Sequence, residues 1–324
     1  ADPADTKSLI LSVRGRSLLF DAYRRSGQSE QATKVLAEAE SMIDRLPDVN
    51  TDVDQGRLVM GVLLDRSYVI EKGADPREDP AFKQMLSLVD GLLETFPDQE
   101  HIQRDATLAW NRLASNLTKL GKYEEAISWY ERSLHVRERL LQEKEATNTR
   151  RRDVNNVRRY IAVNRVELGD LDAAIMLYEQ DIVPMARELL VDSPTDQRAR
   201  NDLARSLSEL GIWQRRAEAY GKAIESLQEA RRGWSLSEDS ADQRQDQLAM
   251  YELIRIDLLL ADSFFMQGAV NEANQANRRA ADMISTYESQ WSDAGTNKPI
   301  APLKAESKRL RAEILKKAGT FSAP

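Results

Sequence analysis

The sequence has no cysteine and only two histidines, His101 and His135, and that scarcity closes off much of protein chemistry. Without thiols there is no disulfide scaffold, thiolate zinc site, iron–sulfur cluster or cysteine nucleophile. Neither histidine has a second at helical spacing, so metal binding and general-base chemistry lack their usual residue. Aromatic residues are 6% of the chain, and 14 glycines and 10 prolines leave long stretches free of both, which favours helix over strand. No run approaches 18 uncharged apolar residues. The densest, Ile256 to Met266, is interrupted by Asp257 and Asp262 and is too short to span a bilayer. The nucleotide loops G-x-G-x-x-G and G-x-x-x-x-G-K-[ST] are missing, as are H-E-x-x-H and G-x-S-x-G. We therefore expect no enzyme, no cofactor and no metal. Asp48-Val49-Asn50-Thr51-Asp52 imitates the start of a calcium loop. Val53 stands where glycine is needed and Val59 where a bidentate glutamate belongs, so it reads as a polar loop. Asn116-Leu117-Thr118 has the spacing of a glycosylation acceptor but falls inside a helical pattern.

Hydrophobic residues make up 41% of the 324, enough for a continuous core, and the length exceeds one small domain. Two or three domains or a repeat array is expected. A net charge of −7 argues against nonspecific binding to nucleic acid or anionic membrane. Alanine rather than methionine at position 1 leads us to expect a processed chain or a piece of a larger protein.

An internal repeat organises the chain. Its clearest copy places Trp110, Leu113, Ala114 and Leu117 on a first helix, Gly121 at a turn, and Ala126, Tyr130 and Ser133 on a second. Leu113/Ala114 is matched by Leu19/Phe20, Ile161/Ala162, Leu210/Gly211 and Leu260/Ala261. Gly121 is matched by Gly27, Gly169 and Gly268, with Glu218 as the exception. Ala126 is matched by Ala32, Ala174, Ala223 and Ala273, and the steps from Ala126 onward are 48, 49 and 50 residues. Tyr130 is matched by Tyr178, Leu36 and Leu227, whereas Asn277 breaks that column. The 94 residues between Ala32 and Ala126 hold one more, degenerate hairpin. There Gly56 to Lys72 reads as a helix ending at Gly73, followed by a turn with Pro76 and Pro80 and a helix stopped by Pro97. A second helix from Lys122 to about Ala146 is expected, roughly 37 Å long at 1.5 Å per residue.

These columns resemble the tetratricopeptide repeat (TPR). The resemblance covers roughly residues 7–290 and implies an all-α, right-handed solenoid of about six helical hairpins. The hairpins fall near 7–46, 56–97, 107–147, 154–191, 199–237 and 247–290, within a solenoid of 1–298. Solenoids need capped ends. Residues 299–324 supply a C-terminal capping helix and tail, with Leu303, Leu310, Ile314 and Leu315 on one face, after a turn-rich stretch from Asp293 to Pro299.

The resemblance also implies a concave groove lined by the first helix of each hairpin. Mapping the non-packing columns gives Arg14, Asn111, Ser115, Asn156, Arg159, Arg205, Ser208, Arg215 and Arg255 as partner-binding candidates. Asparagine can bond an extended peptide backbone and arginine can hold a carboxylate bidentately, so a protein or peptide partner with acidic groups is expected. The competing reading pairs these arginines with neighbouring acids. The carboxylate-clamp pattern of some TPR proteins is not reproduced, since Asn111 stands where lysine belongs. The cluster Arg150-Arg151-Arg152 with Arg158 and Arg159 has only Tyr160 nearby and is read as a solvated helix start facing Glu143 and Glu145.

Tyr130 to Leu140 and Ala223 to Leu227 also resemble TPR arrays of bacterial signalling proteins, in particular the C-terminal sensor region of transmembrane Ser/Thr protein kinases. That resemblance implies a non-catalytic sensor module, extracytoplasmic or periplasmic, with cytoplasmic placement as the other option. The expected state is a monomer or weak homo-oligomer without direct membrane insertion or nucleic-acid binding. The alternative is a scaffold that self-associates through its convex face or terminal helices.

Overall fold

The structure, a computed structural model, describes residues 3–69, 74–234, 243–291 and 300–318. Every regular element among them is helical. The chain divides into two compact units, Ala1–Gly169 and Asp170–Pro324. The expected helix end at Gly73, the turn from Asp293 to Pro299 and the tail beyond 318 lie outside the described residues.

The first unit holds α1 (Pro3–Arg25), α2 (Ser29–Ile43), α3 (Val53–Arg66), α4 (Pro80–Thr95), α5 (Glu100–Lys119), α6 (Tyr123–Glu143) and α7 (Asn148–Glu167). Helices α1/α2, α3/α4 and α5/α6 pack as hairpins, α7 lies against α6, and α3 touches both α1 and α5. The core is apolar and continuous: Phe20, Leu36, Leu63, Phe82, Met85, Leu92, Ile102, Leu113 and Leu117 are fully buried. Each such side chain contributes about 1.5–3 kcal/mol relative to exposure. Ion pairs follow the repeat. Arg57 reaches Asp105 at 2.5 Å, and one period on Arg104 approaches Asp153 at 3.8 Å.

The turns repeat down to single hydrogen bonds. Gln28, Lys122, Ala219 and Ala269 each donate a backbone N–H to the carbonyl five residues back, at 2.9–3.0 Å. That closure needs a left-handed residue just before the donor. Gly27, Gly121 and Gly268 provide it with φ of 76°, 73° and 84°, and Glu218, the exception in the column, adopts φ 58° and does the same. Helix starts are capped by Asp52, Asp79 and Thr147 in the first unit. Asp52, the last residue of the calcium-like loop, accepts from Gln55 N–H at 2.9 Å, so that segment is a helix start.

Helix α3 is shorter than the sequence pattern suggests. It ends at Arg66, because Ser67, Tyr68 and Val69 switch to three-residue backbone bonds and the Ser67 hydroxyl donates to the Leu64 carbonyl at 2.6 Å. Helix α6 stops at Glu143 rather than Ala146, and α7 begins at Asn148 because Thr147 caps it.

In the second unit α8 (Leu171–Leu177) passes through a π-helical turn, Tyr178–Ile182, into α9 (Val183–Asp192). Pro184 explains the irregularity, since it has no N–H to give to the carbonyl of Gln180. Then come α10 (Gln197–Arg216), α11 (Tyr220–Gly233), α12 (Gln243–Met266), α13 (Val270–Trp291) and α14 (Ala301–Lys317). Helices α10/α11 and α12/α13 are hairpins, and α14 packs on α13 and α12 as the capping helix. Gly211 sits where α11 approaches most closely: a Cβ there would come within 2.6 Å of Leu227 Cγ.

Two polar contacts pin this unit. Asn277 is buried and donates to the Ser307 carbonyl at 3.1 Å, while the Ser307 hydroxyl donates to Asn277 Oδ1 at 2.9 Å. The residue that broke the aromatic column therefore holds the cap. Asp257, 0% exposed, accepts from Arg231 of α11 at 3.0 Å and from Arg279 of α13 at 2.7 Å.

Candidate functional site: a polar cavity in the first unit

A cavity of about 590 Å³ opens among α3, α5, α6 and α7. Helix α5 supplies Leu108, Asn111, Arg112, Ser115, Thr118 and Lys119, one column at helical spacing. Helix α7 faces in with Asn156, Val157, Tyr160 and Asn164, and Leu64 and Tyr68 come from the end of α3 and its following turn. Tyr130 of α6 lies beneath, stacked on Tyr160 with ring centroids 5.3 Å apart. Burial pushes the Tyr130 hydroxyl up to about 12, reinforced by Tyr160 and opposed by hydrogen bonds with Thr118 and Ser115, so it stays protonated.

The polar groups differ in how far they are already engaged. The Thr118 hydroxyl donates to Asn164 Oδ1 at 2.8 Å, and Asn164 Nδ2 donates to the Tyr160 carbonyl at 2.8 Å. Asn156 accepts from Arg159 at 3.3 Å. Asn111 Oδ1, by contrast, is buried and has no hydrogen-bond partner among the described residues. Three cations, Arg112, Lys119 and Arg137, line the cavity with one carboxylate, Asp153. Burial pushes the Arg137 guanidinium down, but Asp153 at 2.9 Å holds its charge. Arg112 bonds the Tyr68 hydroxyl, and Lys119 reaches only the Asn116 amide oxygen at 3.2 Å. Neither makes an ion pair among the described residues.

Of the nine residues the sequence put forward, Asn111, Ser115 and Asn156 line this cavity, and Arg159 braces Asn156 from the next turn. Arg14 is exposed on α1 away from the lining. The second-unit candidates are placed differently. Arg215 bonds Asp262, Arg255 reaches Glu252 at 2.6 Å, and the buried Ser208 hydroxyl turns back to the Ala204 carbonyl at 2.8 Å. Arg205 is half-buried and joins no ion pair among the described residues. In the basic cluster, Arg150 meets Glu100 at 2.7 Å and also bonds the Glu145 carbonyl, and Arg158 meets Glu138 at 2.8 Å. Tyr68 and Arg112, also in the lining, were not among the sequence candidates, and Tyr130 of the aromatic column is both buried in the core and part of the lining.

Among the described residues no helix is long and apolar enough to cross a membrane, and no group of three His, Asp or Glu residues is placed to hold a metal ion.

Compared with known proteins, the chain matches the tetratricopeptide repeat family over residues 108–138, which run from α5 into α6 along the cavity wall. No curated protein matches the sequence. Among solved structures the chain is similar to the apo form of RapI, at 15% identity, over 95% of this chain and 99% of that one, with a TM-score of 0.53. It is also similar to BtubC from P. vanneervenii at 13% identity, 90% and 94% coverage and a TM-score of 0.48. A Rap protein complexed with competence and sporulation factor gives 12%, 98%, 79% and 0.47. At this identity the likeness to RapI shows the fold alone. The chain is an all-α array of TPR-like hairpins.

Proposed function

We propose that this chain is a non-catalytic interaction module whose first unit binds a short peptide segment of a protein partner in the cavity among α3, α5, α6 and α7. The observation that carries this is the lining itself. Asn111 offers a desolvated acceptor with no internal partner, which a peptide N–H satisfies. Tyr68, Tyr160, Leu64, Leu108 and Val157 offer flat and apolar walls, and Arg112 and Lys119 add cationic groups that make no ion pair among the described residues. A concave site with apolar walls and a few convergent polar groups is what small ligands and peptide side chains require. The cation excess suits a partner with acidic groups.

On this reading Asn111, Ser115 and Asn156 contact the partner, and the paired Arg215 and Arg255 serve the fold. We further place the chain in a larger bacterial signalling protein, as the extracytoplasmic sensor part of a transmembrane Ser/Thr kinase, where occupancy of the cavity is relayed to the attached effector. The style of the repeat supports that context.

A second reading, self-association, is favoured by α1, where Leu11, Leu18 and Leu19 are 60%, 74% and 49% exposed. Selection of a displayed random-peptide library on the purified chain tests the first reading. Enriched peptides that fail to bind Tyr68→Ala and Asn111→Leu support it. Enriched peptides that bind both variants unchanged move the site elsewhere. No enrichment, together with concentration-dependent elution as an oligomer, favours the second reading.

A further inference from the structure

Tyr68, at the rim of the cavity, lies under two guanidinium groups. Arg24 of α1 stands 4.3 Å from its ring centroid and Arg112 of α5 stands 4.1 Å away. Such contacts hold the cations in place without consuming all their N–H donors. Arg24 bonds Asp21 at 2.6 Å through one terminal nitrogen, while its Nε–H is buried with no acceptor among the described residues. Three residues before Tyr68 is Asp65, a half-buried carboxyl whose side chain makes no hydrogen bond or ion pair among the described residues.

The charged groups around Asp65 come from three helices. From α1 face Asp21 and Arg24, with Arg25 bonded to Asp21 at 2.7 Å; from α5 comes Arg112. On its own helix Arg66 is drawn towards Asp79 at 3.4 Å and Glu40 at 3.9 Å. Burial, then the charge of Asp21, pushes the Asp65 carboxyl up to about 7, against the pull of Arg24 and Arg112.

We propose that Arg24, Tyr68 and Arg112 form a carboxylate subsite at the cavity mouth with Asp65 as its built-in competitor, so that a peptide carrying a carboxylate binds there with uptake of a proton. This rests on the peptide reading above. The spare donors of two guanidiniums fit the oxygens of a carboxylate, and the tyrosine ring fixes where those donors point. Ionised Asp65 draws on the same two cations and repels an incoming anion. Protonated Asp65 does neither. By linkage the bound carboxylate raises the proton affinity of Asp65, and protonation of Asp65 tightens carboxylate binding by the same factor. Affinity therefore rises as pH falls through neutrality, the opposite of what simple protonation of the ligand carboxylate would give.

The test uses two pools of N-acetylated hexapeptide amides with apolar and aromatic residues, identical except that one contains a single Glu where the other has Gln. Binding of each pool is measured with the full chain at roughly pH 6 and 8, either side of the Asp65 transition. The expected result is preference for the Glu pool, with binding tighter by about tenfold at the lower pH. Asp65→Asn should keep the preference and lose its pH dependence, and Arg112→Gln should lose the preference while its circular dichroism stays native. Equal binding of the two pools overturns the subsite but leaves the peptide reading standing. Binding of neither pool overturns both. A pH dependence that survives in Asp65→Asn overturns the proton linkage, as does a carboxyl carbon-13 titration in which Asp65 behaves as an ordinary exposed aspartate.

Discussion

In the first unit the inward column of α5 carries groups that find no charge or acceptor partner among the described residues: Asn111 Oδ1 accepts no hydrogen bond, and Arg112 and Lys119 make no ion pair, bonding Tyr68 and Asn116 instead. In the second unit three residues of the corresponding columns are engaged within the unit, while Arg205 joins no ion pair and Arg215 Nε has no partner among the described residues. Arg215 bonds Asp262, Arg255 holds Glu252, and Ser208 returns its hydroxyl to its own helix. Composition does not distinguish the two, because both columns alternate arginine with small polar residues. The difference lies in the neighbouring helix. Helix α12 carries Asp262 within reach of Arg215, whereas the residues around Arg112 offer an aromatic ring and a carboxyl that burial keeps near its own titration point. On the proposed reading, one set of polar residues serves the repeat's own rigidity and another is held for a ligand.

If the paired polar residues of the second unit serve the fold, they should dominate its stability. The largest effect is expected at Asp257, which is fully buried between two arginines. Asp257→Ala should lose about 3 kcal/mol in denaturant unfolding, near the low end for a broken buried pair because both arginines reach solvent. A loss below the noise of the measurement would mean that the buried triad does not stabilise the unit. The next effect is at the cap. Asn277→Ala should cost about 1–3 kcal/mol by stranding buried Ser307 groups, and limited proteolysis should then cut near α14 before other sites.

The smallest effect sharpens the contrast from the other side. The folded-state value of Asp65 is raised from the ordinary carboxylate value to about 7, so the folded state binds more protons than the unfolded state between the two. The contribution of Asp65 to stability is therefore fully present below the ordinary carboxylate value and is lost as pH rises towards 7. Asp65→Asn should leave stability unchanged near the ordinary aspartate value and raise it by about 1 kcal/mol above neutrality, a figure already discounted for partial solvent screening. Thermal unfolding across that pH range checks the sign. Stability that climbs with pH in the wild type alone would contradict it.

Much of the fold was legible in the sequence because packing imposes strict size rules at few positions. Ala126, Ala174, Ala223 and Ala273 are all fully buried, and Gly27, Gly121 and Gly268 all take left-handed turns. Even the exceptions carried information, since Glu218 adopts the glycine conformation and Asn277 marks where the cap docks. The π-turn was not read, although Pro184 was its cause. The site was only partly legible. Asn111, Ser115 and Asn156 follow from helical spacing within one element. Tyr68 lies in a turn beyond α3, off any helical column, and its value comes from Arg24 and Arg112, each 44 residues from it along the chain. Nor does periodicity reveal which arginines find acids, because that depends on side-chain reach between helices.

The most direct test of the central claim is a side-by-side binding measurement with one selected peptide, the wild-type chain, Asn111→Leu in the first unit and Arg255→Gln in the second. The account predicts that Asn111→Leu loses at least about tenfold in affinity, the loss of one well-made buried hydrogen bond, with stability unchanged or slightly higher. Arg255→Gln should bind like the wild type. Full affinity in Asn111→Leu with loss in Arg255→Gln would place recognition in the second unit and contradict the account.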